Sequence, residues 1–211
     1  MTDVTTQDLV AALRAFRDRV VEARAELTEL DSVIGDADHG ANMARGMTAA
    51  VEKLEAEPPA TVADLGKAVG MALVSSVGGA SGPLYGTLFL RIGATGGAAE
   101  SLDATALGAA LRAGYDGIAA RGKAEPGDKT MLDAIGPAVD AWEATATDGP
   151  ARASAAARDA AAEGRDATIP LVARKGRASY LGERSAGHMD PGAASSAMLF
   201  DALAEALGGA S

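Results

Sequence analysis

Apolar residues recur every three or four positions along nearly the whole chain, and this spacing restricts its fold more than any other feature. Leu9, Leu13, Phe16 and Val20 form one such stripe, whereas strand-like alternation of β-branched residues is almost absent. Apolar residues at this spacing cover one face of a helix. Alanine and glycine dominate and only 3% of residues are aromatic, which suits helices that pack closely through small side chains. We therefore predict an all-α fold.

The stripes, together with the glycines and prolines between them, predict about eight helices in a single domain that spans residues 1–211. Thr61, with Asp64 three residues later, is typical of a capped helix start, and Asp190 before Pro191 is another such start. A long connection is predicted between Ile169 and Gly187. The predicted helices cover approximately residues 5–29, 39–57, 61–77, 83–91, 103–121, 131–148, 151–163 and 190–207.

One uncharged stretch, from Ala68 to Leu90, is long enough to cross a membrane by its length alone. The glycine-rich segment Gly78–Pro83 interrupts it at the centre, where unsatisfied backbone groups would be costly in lipid. We therefore predict two buried helices joined by a loop and no membrane association. The stretch Met1–Gln7 has no charged segment followed by an apolar one, and the chain has no cysteine, so we expect a cytoplasmic protein.

The charge balance bears on the class of partner. The chain has a net charge of −10 and an isoelectric point near 4.7. A nucleic acid would be repelled by such a charge, so we expect no direct nucleic-acid partner. A bound nucleotide would therefore need local cations or metal ions.

An acidic stretch bounded by glycines joins the first two predicted helices, and it is the strongest indication of function. It places Asp31, Asp36 and Asp38 at spacings of five and two residues, which is a poor way to build a core. Mg²⁺ prefers oxygen ligands and is often shared between one or two carboxylates and the phosphates of a substrate. A capping aspartate in an ordinary turn is the commoner explanation for a single Asp, but it explains three together less well. The stretch therefore predicts a site for a metal ion and a phosphate.

Three further segments carry chemistry that the sequence leaves open. Gly78–Gly82 could surround a phosphate with backbone N–H groups, although a plain tight turn is the more frequent explanation. Gly122–Thr130 is close to a Walker A pattern, but Asp128 stands where that pattern needs Lys and no strand precedes it, so a P-loop fold is excluded. The long connection holds basic residues that could bind phosphate, contact a partner or simply face solvent. They are Arg174, Lys175, Arg177 and Arg184.

Four segments of the chain together resemble a known family. Residues 31–42, 78–86, 121–131 and 176–192 are similar, in this order, to motifs of the dihydroxyacetone kinase L subunit, the nucleotide-binding partner in a split kinase. Residues 185–192, with the sequence Ser-Ala-Gly-His-Met-Asp-Pro-Gly, closely follow the C-terminal signature of that family. The resemblance implies a single-domain antiparallel barrel of eight helices, with the nucleotide site in loops at one end.

The resemblance also implies the residues of that site. The cofactors would be ADP or ATP and two Mg²⁺ ions. Asp31, Asp36 and Asp38 would bind the metal ions. The nucleotide would be bound by His39, Gly40, Ala41, Asn42, Gly79, Ala80, Ser81, Gly122, Thr130, Met131, Arg177, Asp190, Pro191 and Gly192. No further catalytic side chain is expected, because phosphoryl transfer depends chiefly on positioning and charge neutralisation.

The resemblance implies a division of work between subunits. A separate K subunit would hold dihydroxyacetone, and this chain would supply the phosphoryl group from its bound nucleotide. We expect ADP to be rephosphorylated in place by a phosphohistidine protein, the M subunit of the phosphotransferase system. Two alternatives remain: a subunit that consumes free ATP on dihydroxyacetone or a related ketose, and a non-catalytic ADP sensor that docks on a transcriptional regulator. In some members of the family a lipid occupies the barrel interior.

Overall fold

Nine α-helices account for most of residues 3–208, which are the residues that the computed structural model describes. They are α1 Thr6–Glu22, α2 Arg24–Ile34, α3 His39–Ala56, α4 Val62–Ser76, α5 Ser81–Gly96, α6 Ala104–Gly122, α7 Leu132–Thr145, α8 Pro150–Ala167 and α9 Pro191–Gly208. Two short strands, β1 Val4–Thr5 and β2 Ser101–Leu102, pair antiparallel. Two 3₁₀ segments complete the secondary structure, Ala146–Asp148 and Arg177–Ser185. The prediction of an all-α fold is confirmed.

Several helices begin at the residues that the sequence indicates. Thr61 caps α4 through its side chain, which accepts from the N–H of Asp64 at 3.1 Å, while the Asp64 carboxylate accepts from the N–H of Thr61 at 3.2 Å. Asp103 caps α6, and Asp190 caps α9 by accepting from the N–H of Ala193 at 2.7 Å. These side chains satisfy backbone donors that have no partner inside the helix.

Two predicted helices differ most from the structure in their bounds. The first was expected to end near Glu29, but it bends at Ala23 and continues as α2 to Ile34, so Asp31 lies in a helical turn rather than in a loop. The fourth was expected at residues 83–91 and instead runs from Ser81 to Gly96. Its glycines do not end the helix because they allow close packing: a Cβ on Gly66 of α4 would lie 2.5 Å from the Cα of Gly93.

The helix contacts close into a ring. Each helix from α3 to α9 packs against the next one, α9 packs against α1, and α1 packs against α3. Helix α2 continues from α1 and contacts the same two neighbours, α3 and α9. The bent pair therefore occupies one place in the ring, which agrees with the predicted number of eight.

Large side chains belong to the buried core of this ring. Phe16, Tyr85, Trp142 and Phe200 are all buried, and the rings of Phe16 and Tyr85 lie 6.3 Å apart between centroids. The uncharged stretch 68–90 is divided between α4 and α5 by a non-helical link at residues 77–80. Among residues 3–208, none of the helices combines the length and the apolar character that a membrane span requires.

Candidate functional site

Four segments that are far apart in sequence meet at one end of the ring, around a cavity of about 390 Å³. They are the α2–α3 link, the α4–α5 link, the α6–α7 link and the connection between α8 and α9. The sequence required this convergence for a single site to exist. The predicted site residues that line the cavity are Asp31, Asp36, Asp38, His39, Gly79, Ala80, Ser81, Gly122, Thr130, Met131, Arg177, Asp190, Pro191 and Gly192.

Four helices begin at this cavity. The first residues of α3, α5, α7 and α9 are His39, Ser81, Leu132 and Pro191, and each of them lines the cavity. A helix N-terminus carries partial positive charge and free N–H groups, so it favours anions. Four such ends around one cavity suit a ligand with several phosphate groups, in a chain whose overall charge is negative.

The three predicted metal ligands form a cluster at the same cavity. One carboxylate oxygen from each of Asp31, Asp36 and Asp38 can be chosen so that all lie within 4.8 Å of one another. The last turn of α2 places Asp31 beside Gly35, where a Cβ would lie 2.0 Å from Asp31 Oδ1. Only glycine therefore fits behind this carboxylate.

The donor set fits magnesium. All the clustered groups are carboxylates, and hard oxygen donors are what Mg²⁺ prefers. Carboxylates this close repel one another unless a cation lies near them. Arg177 provides one positive charge, with its Nη2 at 3.0 Å from Asp36 Oδ2, but this guanidinium is largely exposed and is screened by solvent. Asp31, Asp36 and Asp38 are thus the residues that could hold metal ions here.

His39 connects the cavity to the core through hydrogen bonds. Its Nδ1 lies 3.1 Å from Ser81 Oγ, at the start of α5, and its Nε2 lies 2.9 Å from Ser195 Oγ, in α9. The hydroxyl of Tyr85 lies 2.7 Å from Ser195 Oγ and 3.0 Å from Ser196 Oγ. Burial lowers the pKa of His39, although Asp31 and Asp38 oppose this effect. The network therefore fixes a largely neutral imidazole against Ser81.

Part of the cavity lining is apolar. Its lining includes Ile34, Leu84, Ile118, Met131 and Leu132, contributed by α2, α5, α6, the α6–α7 link and α7. Met131 is also buried, so the two roles considered for it, core residue and base contact, are compatible. Apolar side chains and helix N-termini around one cavity suit a ligand that carries both a ring and phosphates.

Asp190 lines the cavity but is shielded from solvent. Burial raises its pKa to about 7, and the hydrogen bond from the Ala193 N–H and the charge of Lys129 only partly oppose this rise. The same carboxylate caps α9. A charged ligand, a metal ion or a change of pH near neutrality would therefore alter the charge at the start of this helix.

Three predicted nucleotide residues do not line the cavity: Gly40, Ala41 and Asn42. Gly40 allows α3 to pack against α2, because a Cβ there would lie 2.1 Å from the backbone oxygen of Arg24. The Asn42 side chain accepts a hydrogen bond of 2.6 Å from Arg45 and lies under Gly78. These residues shape the first turn of α3 and the α4–α5 link from behind.

The basic residues of the long connection separate into two groups. Lys175 and Arg177 line the cavity, whereas Arg174 and Arg184 do not. The sequence did not indicate Tyr85, Arg121 or Lys129 as site residues, although all three line the cavity. All three lie within segments that resemble the kinase family, so that resemblance was the signal that could have identified them.

Comparison with known proteins agrees with this geometry. A family model described as DAK2 domain matches residues 33–205. The chain belongs to the DAK2 domain family. The chain is 46% identical over 202 residues to the PTS-dependent dihydroxyacetone kinase, ADP-binding subunit DhaL, of Lactococcus lactis subsp. lactis (strain IL1403). This match covers 96% of the chain and 98% of the relative.

Two further comparisons extend the relation within the DAK2 domain family. The chain is 49% identical over 180 residues to the PEP-dependent dihydroxyacetone kinase, ADP-binding subunit DhaL, of Escherichia coli (strain K12), covering 84% of this chain and 86% of the relative. It also resembles the crystal structure of the dihydroxyacetone kinase from C. freundii in complex with AMP-PNP and Mg²⁺, with a TM-score of 0.73 and 30% identity. That match covers 93% of this chain and 33% of the solved chain, so this chain spans about a third of that kinase.

Proposed function

We propose that this chain is the ADP-binding subunit of a split dihydroxyacetone kinase that depends on the phosphotransferase system. The observation that carries the proposal is the meeting of an acidic cluster with four helix N-termini at one cavity. The DhaL relatives support it, because this chain covers nearly the full length of the L. lactis subunit. The nucleotide would be ADP or ATP, with its base against the apolar wall and its phosphates toward α3, α5 and α9.

The residues of the chain would act by binding and positioning. Ser81 and the backbone N–H groups at the helix starts would orient the phosphates, while Lys175 and Arg177 add positive charge to the cavity lining. Asp31, Asp36 and Asp38 would hold two magnesium ions. These ions, when bound, would neutralise charge on the phosphates during transfer. His39 would keep the Ser81 hydroxyl in place, since its ring is fixed from behind by Ser195.

The phosphoryl acceptor and donor would come from other chains. Dihydroxyacetone would be held by a K subunit, and a phosphohistidine protein would rephosphorylate ADP without its release. The histidines of this chain, His39 and His188, both fall within motifs of the nucleotide site, so we expect neither to carry the phosphoryl group. A lipid in the core and contact with a regulator stay predictions from the resemblance to the family.

The experiment that tests this proposal combines the purified chain with its K subunit and dihydroxyacetone. One reaction receives excess free ATP, and the other receives a phosphohistidine donor with catalytic ADP. We expect repeated turnover only in the second reaction, with ADP retained by the chain during gel filtration. Rapid repeated turnover on free ATP would instead identify an ATP-dependent subunit. Tight ADP binding without turnover in either reaction would identify a non-catalytic sensor.

A further inference from the structure

A buried lysine lies next to the cavity and is fully engaged by backbone oxygens. Lys129 is 1% exposed. Its Nζ lies 2.8 Å from the carbonyl oxygen of Thr168, 3.3 Å from that of Ile169, 3.0 Å from that of Leu171 and 2.5 Å from that of His188. An ammonium group has three N–H donors, so these carbonyls use all of them. None is left for a direct bond to a phosphate.

These carbonyls belong to the two ends of the connection between α8 and α9. Thr168, Ile169 and Leu171 follow α8 directly, and His188 lies just before α9. Between them the chain leaves to form the wall that contains Lys175 and the residues after it, and then returns to Asp190. Lys129 therefore joins the start and the end of the connection between α8 and α9 at one point.

Other hydrogen bonds close the same junction. The N–H of Gly187 donates to the carbonyl of Ile169 at 2.8 Å, and the N–H of Asp190 donates to Thr168 Oγ1 at 3.0 Å. The N–H of Arg174 donates to the carbonyl of Asp128 at 3.0 Å, so the wall is also tied to the residue before Lys129. Lys129 is the charged member of this junction, and hydrogen bonds to a charged group are the stronger ones.

We propose that Lys129 is a positioning residue of the nucleotide site, whose ammonium group holds the 168–190 connection so that its wall faces the cavity. Lys129 acts through the residues that it positions, namely Lys175–Ala178 and Asp190–Gly192, and not by contact with the ligand. Burial lowers its pKa, but the nearby charge of Asp190 and the carbonyl oxygens around it favour the protonated form. The effect on ADP affinity rests on the function proposed above, whereas the effect on the connection does not.

The test removes the ammonium group and then returns it as a small molecule. Lys129→Ala leaves out three carbons and the amine, which together correspond to propylammonium. Lys123→Ala is the matched control, because Lys123 lies on the same link, is exposed, and shares a left-handed backbone with φ 49° against 63° for Lys129. Hydrogen exchange of the connection and calorimetric binding of ADP with Mg²⁺ are measured for both variants, with and without propylammonium.

We expect Lys129→Ala to speed exchange at the amides of Arg174, Gly187 and Asp190, and to weaken ADP binding on the order of tenfold. Amides within α4 and α5 should keep their protection. Propylammonium should restore both the amide protection and the ADP affinity, whereas propanol should restore neither. Lys123→Ala should match the wild-type protein in both. Lys129→Gln, which keeps N–H donors without the charge, should show an intermediate effect.

Two results would overturn the proposal. One is unchanged hydrogen exchange in the connection of Lys129→Ala, whether or not ADP binding is weaker. The other is a loss of protection in every helix that propylammonium does not reverse. The last result, like a Lys129→Ala protein that stays unfolded with propylammonium present, would make Lys129 a general stability residue. If the unchanged protein does not bind ADP at all, the proposed function fails, while the exchange data still decide the role of Lys129.

Discussion

Oδ2 of Asp31 accepts a hydrogen bond of 2.8 Å from the backbone N–H of Asp38, so one candidate metal ligand fixes the backbone of another. The same oxygen accepts from the N–H of His39 at 3.1 Å and thereby caps the start of α3. The acidic cluster and the helix N-terminus are therefore one structural unit. A change at the metal site should affect phosphate binding, and a change at the start of α3 should affect metal binding.

The first prediction concerns the middle carboxylate of the cluster. Asp36→Asn should weaken Mg²⁺-dependent ADP binding on the order of tenfold or more, because it removes one negative oxygen donor without touching the cap made by Asp31. Calorimetry measures the affinity, and circular dichroism should show unchanged helix content. Asp159→Asn, at an exposed carboxylate on α8 that pairs with Arg158, is the control and should bind ADP normally. Equal affinities for the two variants would remove the metal site from this account.

The second prediction concerns removal of the ligands. Carboxylate oxygens within 4.8 Å of one another repel until cations are bound, so adding ADP and Mg²⁺ in excess should raise the melting temperature. ADP with a chelator present should raise it much less, because the cluster then stays uncompensated. Differential scanning fluorimetry measures the melting temperature with ADP alone, with Mg²⁺ alone and with both together. Equal shifts with and without the metal would contradict the prediction.

The residue types of the site could be predicted from the sequence, since carboxylates, glycines and helix-start residues stand out between periodic stretches. Asp31, Asp36 and Asp38 were identified in this way and do lie together. The sequence could not show that Asp31 belongs to a helical turn, because a helix end depends on packing and on Gly35 behind the carboxylate. Local patterns identify chemistry more readily than they identify element bounds.

Lys129 shows what local sequence could not supply. Its partners lie 39 to 59 residues further along the chain and are backbone carbonyls, which carry no side-chain signature. The near match to a Walker A pattern drew attention to Asp128, whereas the structure buries both Asp128 and Lys129 and gives the long-range contacts to Lys129. The glycines of α5 show the same limit, because the sequence predicts a helix end at Gly93, whereas in the structure Gly66 packs against Gly93 within the helix pair.

The third prediction concerns pH. In the folded protein the pKa of Asp190 is about 7, above the value near 3.9 of a free aspartic acid, so the folded state keeps a proton that the unfolded state has lost. The contribution of Asp190 to stability should therefore be greatest at the acid side of this window and fall as the pH rises from about 4 to about 7. Asp190→Asn cannot ionise, so the free energy of unfolding of the variant relative to wild type should rise with pH, by up to roughly 4 kcal/mol.

Urea unfolding of the metal-free and nucleotide-free proteins at pH 5 and pH 8 checks this prediction. The lowered pKa of His39 acts in the opposite direction. Its contribution to stability is lost as the pH falls below the pKa that His39 has in the unfolded state. His39 is present in both proteins, so its contribution cancels in the difference. Parallel stability curves for wild type and Asp190→Asn would show that the carboxyl is ionised at both pH values.

The last prediction concerns the K subunit. Phosphoryl transfer requires the bound nucleotide and the ketose to meet, so the partner must cover the mouth of the cavity. Tyr180 is 88% exposed and lies on the 3₁₀ segment that begins at Arg177, which lines the cavity. Tyrosine and arginine are enriched among the residues that contribute most to binding at protein interfaces. Tyr180→Ala should raise the KM for the K subunit on the order of tenfold and leave ADP affinity unchanged. Met71→Ala removes a side chain that is 55% exposed on α4, outside the lining of the cavity, and should change neither quantity. Equal KM values for the two variants would place the partner contact elsewhere on the cavity rim.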